Sequence, residues 1–374
     1  MPIFDQGYQH WSGELGGRLR RWWAITTYGV RAGRKQWVLR IVLLASWAPA
    51  IALAGFLCLW SLIERKSSAI QGLMPMLSFI NPRIIADPVH YRLDVWTLAY
   101  HYFLQAELRF SMILILLAGP GLISLDLRFN ALPLYFSRPL RRFDYFVGKL
   151  GVIFWFLAAV VILPSLIAYA LGMACSLDIS ILRDTFMILV NSIFFGLVVT
   201  VSAGLFILAL SSLTRNSRYV ALLWVGIWII SSVTSGILDS AQEQQKGYAR
   251  RREFRMEIER RRASRGMAPA PVYAIPDDAG QSPATTALED AKTDWRPLVS
   301  YFANLSRVEN HLLGVNETWE RIAQLVPDEQ RDYFLILQEG DRYPVSWSAG
   351  VIVGLCGLSI LILNFRVKSL DRLK

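Results

Sequence analysis

The side chains best suited to engage another molecule lie between Asp126 and Lys149. The run reads Asp126-Leu-Arg-Phe-Asn-Ala-Leu-Pro-Leu-Tyr-Phe-Ser-Arg-Pro-Leu-Arg-Arg-Phe-Asp-Tyr-Phe-Val-Gly-Lys149. Leu132, Leu134, Tyr135, Phe136, Leu140, Phe143 and Tyr145 stand among charges, and Pro133 and Pro139 break the run into short pieces. An apolar knob rimmed by arginines suits a groove on a partner, as in helix-in-groove recognition. An ordinary membrane-surface loop has the same composition. On the docking reading the contact comprises Leu134, Tyr135, Phe136, Ser137, Arg138, Pro139, Arg141, Arg142, Asp144 and Tyr145. Tyr135 and Phe136 supply buried area, the arginines pair with acids or lipid phosphates, and Asp144 caps the helix that follows.

Catalytic patterns are missing elsewhere. A phosphate-cradling loop reads G-x-x-x-x-G-K-[ST], but Gly148-Lys149 is followed by Leu150 and lacks the upstream glycine. Neither HExxH nor paired intramembrane aspartates occur. The four histidines (His10, His90, His101, His311) are scattered, which argues against a metal or haem site. Cys58, Cys175 and Cys356 are too few and too dispersed for a disulfide framework. The chain itself is therefore expected to be no enzyme and to bind no cofactor.

The elements that carry these residues are apolar. Six stretches lack charge: 41–63, 110–125, 150–177, 185–214, 219–238 and 343–365. A spanning helix needs about 20 apolar residues, because lipid satisfies no exposed backbone group. The fold class is an all-α polytopic membrane protein with six transmembrane helices. Span 110–125 is short and contains Gly119-Pro120-Gly121. It reaches full length if the helix starts near Trp96, with Glu107 and Arg109 at the interface or facing protein. The first apolar run begins about forty residues in, after several arginines, so it reads as a retained helix and not a signal peptide.

Charge orients the spans. The net charge is +10, but the basic residues flank the spans, which indicates a membrane partner and no nucleic acid. Segments 1–40, 126–149, 215–218 and the tail after Phe365 are basic and fall on one side. By the positive-inside rule that side is the cytoplasm, with both termini inside. The domains are then a cytoplasmic interfacial helix region over 1–40, spans 1–5 over 41–238, an extracytoplasmic helical region over 239–342, and the last span with its tail over 343–374. Trp22 and Trp23 mark the membrane interface. Residues 64–108 read as an external loop interrupted by Pro75, Pro82 and Pro88. Within 239–342, a linker occupies 267–286 and an amphipathic helical cap 287–341. Residues 246–265 hold nine basic side chains, including Arg250, Arg251, Arg252, Arg260, Arg261 and Arg262, which suit anionic lipid or an acidic cargo. The polar residues of the fourth span, among them Asn191, Ser202 and Ser211, are expected to bond neighbouring helices.

Ala131–Tyr145 followed by Gly148-Lys149 resembles the segment after the second span of ABC-2-type ABC transporter permeases. Leu210–Tyr219 resembles that family's turn between spans four and five, and Trp295–Gly314 the stretch before its last span. The resemblance implies the ABC-2 exporter (type V-like) permease fold in a bacterial cytoplasmic (inner) membrane. It implies two copies of a cytoplasmic ABC ATPase subunit that hold the ATP and Mg. It also implies a second permease copy or a related permease, with 131–145 containing or adjoining the coupling helix. The chain would export an amphiphilic or bulky substrate. The alternative is a membrane scaffold that recruits an extracytoplasmic accessory protein through 240–342. Residues 240–294 are longer than the family pattern, which leaves their role open.

Overall fold

The computed structural model describes residues 18–65, 82–136, 140–176, 180–231 with 233, 296–325 and 344–368. Among these the secondary structure is helical, with no strand. Helix α1 (Arg18–Arg34) is followed by α2 (Trp37–Ala45) and α3 (Trp47–Glu64). Short α4 (Pro82–Ala86) precedes α5 (Arg92–Ala118), α6 (Gly121–Arg128) and α7 (Leu132–Phe136). Helix α8 (Arg142–Leu157) passes through a π-helical turn (Ala158–Ile162) into α9 (Leu163–Ser176). Then come α10 (Ser180–Leu213), α11 (Ser217–Ser231), α12 (Tyr301–Leu313), α13 (Val315–Ala323) and α14 (Val345–Lys368).

Five helical segments are long and apolar enough to cross a membrane: Trp37–Glu64, Arg92–Arg128, Arg142–Ser176, Ser180–Leu213 and Val345–Arg366. This is an all-α, multi-pass membrane architecture. The sixth expected span, 219–238, corresponds to α11, whose described part is fifteen residues long; residues 234–238 lie outside the described residues. So do 239–295 and 326–343, and with them the linker and the basic segment 246–265.

The centre of the bundle is α10, which packs against α5, α6, α8, α12 and α14. Its uncharged stretch allows this, since any face can be buried. Also against α5 lie α3 and α9, which pack on each other in parallel, their C-terminal ends meeting where Arg65 donates to the Cys175 carbonyl. Gly172 makes that approach possible: a Cβ there would sit 2.9 Å from Trp96 and 3.0 Å from Leu57. Helix α1 runs along α8, where a Cβ on Gly148 would meet the Trp22 carbonyl at 3.0 Å. The Thr26 hydroxyl donates to the Gly148 carbonyl at 3.0 Å.

Two expectations change and two take a more definite form. The cysteines were read as too few and too dispersed for a disulfide framework, yet Cys58 and Cys175 form one disulfide, between α3 and α9. The external loop read over 64–108 ends earlier: α5 begins at Arg92, slightly before the start near Trp96 that the short run 110–125 called for, and its Arg92, Asp94, Thr97 and Glu107 are buried. Glu107, expected at the interface or facing protein, faces protein and lies fully buried within the second span. The described part of the expected helical cap packs into the bundle. Leu305 of α12 is fully buried, and the Tyr301 hydroxyl lies 2.8 Å from Ser202, well along α10. Ser300 starts α12 by accepting the Ala303 N–H at 3.2 Å, and Gly314, at φ 68°, ends it in the left-handed conformation that glycine adopts freely.

Candidate functional site

The segment 126–149 closes one end of the bundle. Helix α6 reaches it after a break at Gly119-Pro120, and the break is held from another helix. The Ser211 hydroxyl donates to the Pro120 carbonyl at 2.8 Å and accepts the N–H groups of Ile123 and Ser124 at 3.1 and 2.9 Å. These are the donors a helix start leaves without partners.

Below that joint, Asp126 gathers three elements. Its carboxylate lies 2.7 Å from the Lys149 ammonium of α8 and accepts the Tyr145 hydroxyl at 2.7 Å. Lys149 in turn sits 5.4 Å from the Tyr145 ring centroid and 6.0 Å from that of Tyr135 on α7. The rings of Tyr135 and Tyr145 are 5.5 Å apart. The phenol of Tyr135 is pushed above its usual range by burial and by the nearby Asp126 carboxylate. Asp144 accepts the Arg141 backbone N–H at 3.3 Å, the capping role expected of it.

This arrangement sorts the expected contact residues. Tyr145 is fully buried and Tyr135 leans inward on it, so both belong to the latch. Arg141 is exposed, while Arg142 and Asp144 are half-buried. Leu134 and Phe136 are placed only by the backbone of α7, and Ser137, Arg138 and Pro139 lie outside the described residues. The apolar surface at this end comes from Phe129 and Phe143, 71% and 74% exposed, with the Arg128 guanidinium 5.7 Å from the Phe129 ring. Phe143 was among the apolar residues noted in the sequence but was not assigned to the contact, and Phe129 was not singled out. Trp22 is half-buried and Trp23 exposed on α1, their ring centroids 5.9 Å apart.

The opposite end is bound by ions. Buried Arg92 pairs with Glu64 of α3 at 3.0 Å and with Asp184 of α10 at 3.1 Å. Its guanidinium also donates to Ser180 at 2.8 Å. Asp94 pairs with Arg321 of α13 at 2.7 Å. Deeper along α5, His101 lies 3.1 Å from Glu309, and Gln105 donates to Glu309 at 2.7 Å and to Ser306 at 2.6 Å. Burial pushes the Glu309 carboxyl above its ordinary value, against the opposing pull of His101 and Gln105.

Between the two ends one face of α5 is left uncovered, and it is polar. Tyr102 is 61% exposed, and Arg109, one helical repeat further on, is exposed as well. Asn191 and Ser202 of α10 do bond neighbouring helices, at the Leu312 carbonyl and the Tyr301 hydroxyl. Ser192, Thr200 and Ser212 bond back to carbonyls of their own helix. Among the described residues no cluster of His, Cys, Asp or Glu has the arrangement of a metal site. No family model matches the chain, and no curated protein matches it.

Proposed function

We propose that this chain is the membrane-spanning permease subunit of an ABC transporter. In this reading it exports an amphiphilic or bulky substrate with ATP hydrolysed by a separate cytoplasmic ATPase subunit. One observation carries the proposal: the segment 126–149 is tied to two spans at a single point. Asp126 ends the second span, Tyr145 and Lys149 begin the third, and α7 is packed between them. A force on the exposed surface of Phe129, Arg141 and Phe143 is therefore delivered to both spans at once. That is what an ATP-driven permease needs from its coupling segment.

Arg109 favours a transport path over a passive scaffold. An arginine near the centre of a lipid-facing helix costs about 2.5–3.5 kcal/mol on insertion scales. The cost disappears if the Tyr102–Arg109 face lines a wet path or meets a second permease copy. Orientation rests on two independent features. The 126–149 end is basic, and the disulfide Cys58–Cys175 lies toward the other end, where Arg65 donates to the Cys175 carbonyl at 3.0 Å. Disulfides persist in oxidising compartments, so that end is extracytoplasmic and the 126–149 end cytoplasmic.

The test is reconstitution of the purified complex in lipid vesicles. ATP hydrolysis that accompanies the chain and falls when Phe129 and Phe143 are both changed to alanine supports the proposal. A chain that purifies without any ATPase refutes it.

A further inference from the structure

Glu107 is fully buried in the second span, and neither carboxylate oxygen has a hydrogen-bond partner among the described residues. It does not stand alone. The Ser111 hydroxyl, one turn further along the same face of α5, is also fully buried and unpartnered. So is the Trp96 indole nitrogen on that face, and so is the Ser165 hydroxyl on the facing segment.

The facing segment is irregular. The Tyr100 hydroxyl donates to the Ser165 carbonyl at 3.1 Å, which sets the register between α5 and the antiparallel third span. About two helical turns beyond Tyr100 on α5 is Glu107, and about two turns back from Ser165 is the π-helical turn Ala158–Ile162. That turn packs against α5. Single π turns inside α-helices recur at functional sites.

Among the described residues no opposite charge reaches the carboxyl. The third span offers as titratable groups beyond Lys149 only Tyr169 and Cys175, and the latter is in the disulfide. Helix α10 is uncharged from Thr185 to Leu213, and α3 carries only Cys58 before Glu64, which pairs with Arg92. Arg40 of α2 is exposed. Glu309 of α12 engages His101 around the helix from Glu107, Arg321 of α13 engages Asp94, and Arg109 points to the uncovered face. A bare carboxylate in such a setting costs several kcal/mol. Calcium or magnesium would need at least six oxygens around it, and the unpartnered side chains here supply four; among the described residues no group of His, Cys, Asp or Glu could hold a metal ion. A proton needs no cavity and no further ligand.

We propose that Glu107 is an intramembrane proton-binding site, seated between Ser111 and the π turn of the third span. The step is simple: one proton from water joins the carboxylate to give a neutral acid, and no other bond changes. Bound proton favours the packed arrangement of α5 on the third span. Its loss favours an arrangement that lets water reach the carboxylate, so rising pH opens this seam. The inference is independent of the transport reading.

Infrared difference spectra of the full chain in lipid nanodiscs, over a pH series, test it. A protonated-carboxyl C=O band is expected that shrinks as pH rises and is missing in Glu107→Gln. Amide exchange in 103–111 and 158–165 is expected to quicken over the same pH range in the native chain and to stay flat in Glu107→Gln. If Glu107→Gln does not fold, Ser111→Ala keeps the carboxyl and is expected to shift its band. The absence of any band specific to Glu107, a band constant at every pH, or a band unmoved in Ser111→Ala overturns the proposal. So does exchange that follows sodium or potassium concentration at fixed pH.

Discussion

The Asp126 carboxylate and the Lys149 ammonium meet at 2.7 Å, joining the end of the second span to the start of the third. Both side chains are largely buried, and the Tyr145 hydroxyl shares the same carboxylate. Removing one partner of such a pair leaves the other charge without compensation, which is costly. Lys149→Met and Asp126→Asn are each expected to lower stability by about 2–3 kcal/mol. The double variant is expected to recover part of that loss, with a coupling of about 1–2 kcal/mol in a double-mutant cycle measured by thermal unfolding in micelles. Purely additive losses would show that the two residues do not form one latch.

The Arg92 network makes a graded prediction. Glu64 is buried beside Arg92, whereas Asp184 is 47% exposed. Arg92→Met is expected to cost about 3–5 kcal/mol, because Glu64 is left as a buried, unpaired acid. Asp184→Asn is expected to cost about 1 kcal/mol or less, as exposed pairs do. Equal losses would mean that the two acids are equally buried in the membrane.

Ser211 supports a helix that is not its own. Ser211→Ala removes the acceptor of two amide groups and one donor to Pro120. The expected loss is about 1–3 kcal/mol, since these groups are buried. Amide exchange at Ile123 and Ser124 is expected to rise, while that of α14 stays unchanged. Unaltered protection at both amides would contradict the role assigned to Ser211.

The apolar spans were legible in the sequence because lipid selects on composition alone, and composition is local. The start of the second span was legible only in part: the short run 110–125 called for a helix from near Trp96, while 64–108 also read as an external loop. Arg92, Asp94, His101 and Gln105 read as a solvated loop, and their partners Glu64, Asp184, Arg321, Glu309 and Ser306 come from other helices. Only the folded chain shows those charges neutralised. The Cys58–Cys175 bridge escaped notice for the same reason, its partners standing at a sequence separation of 117. The segment 126–149 stood out by its aromatic and basic content, yet its facing was hidden. The five-residue helix that carries Tyr135 is too short to display a period, and the partner of Tyr145, Asp126, lies nineteen residues away, so the inward facing of both tyrosines shows only in the fold. They form the latch, and Phe129 and Phe143 hold the surface.

The central claim is that 126–149 couples a cytoplasmic ATPase to the spans. The most direct measurement is site-specific crosslinking from Phe143→Cys in native membranes, followed by identification of the attached chain and assay of its ATP hydrolysis. The account predicts a crosslink to a soluble, ATP-hydrolysing subunit. It also predicts that Phe129→Ala weakens this crosslink while the Asp126–Lys149 latch stays intact. A crosslink formed only to proteins on the side of the Cys58–Cys175 disulfide, with no ATPase attached, would contradict it.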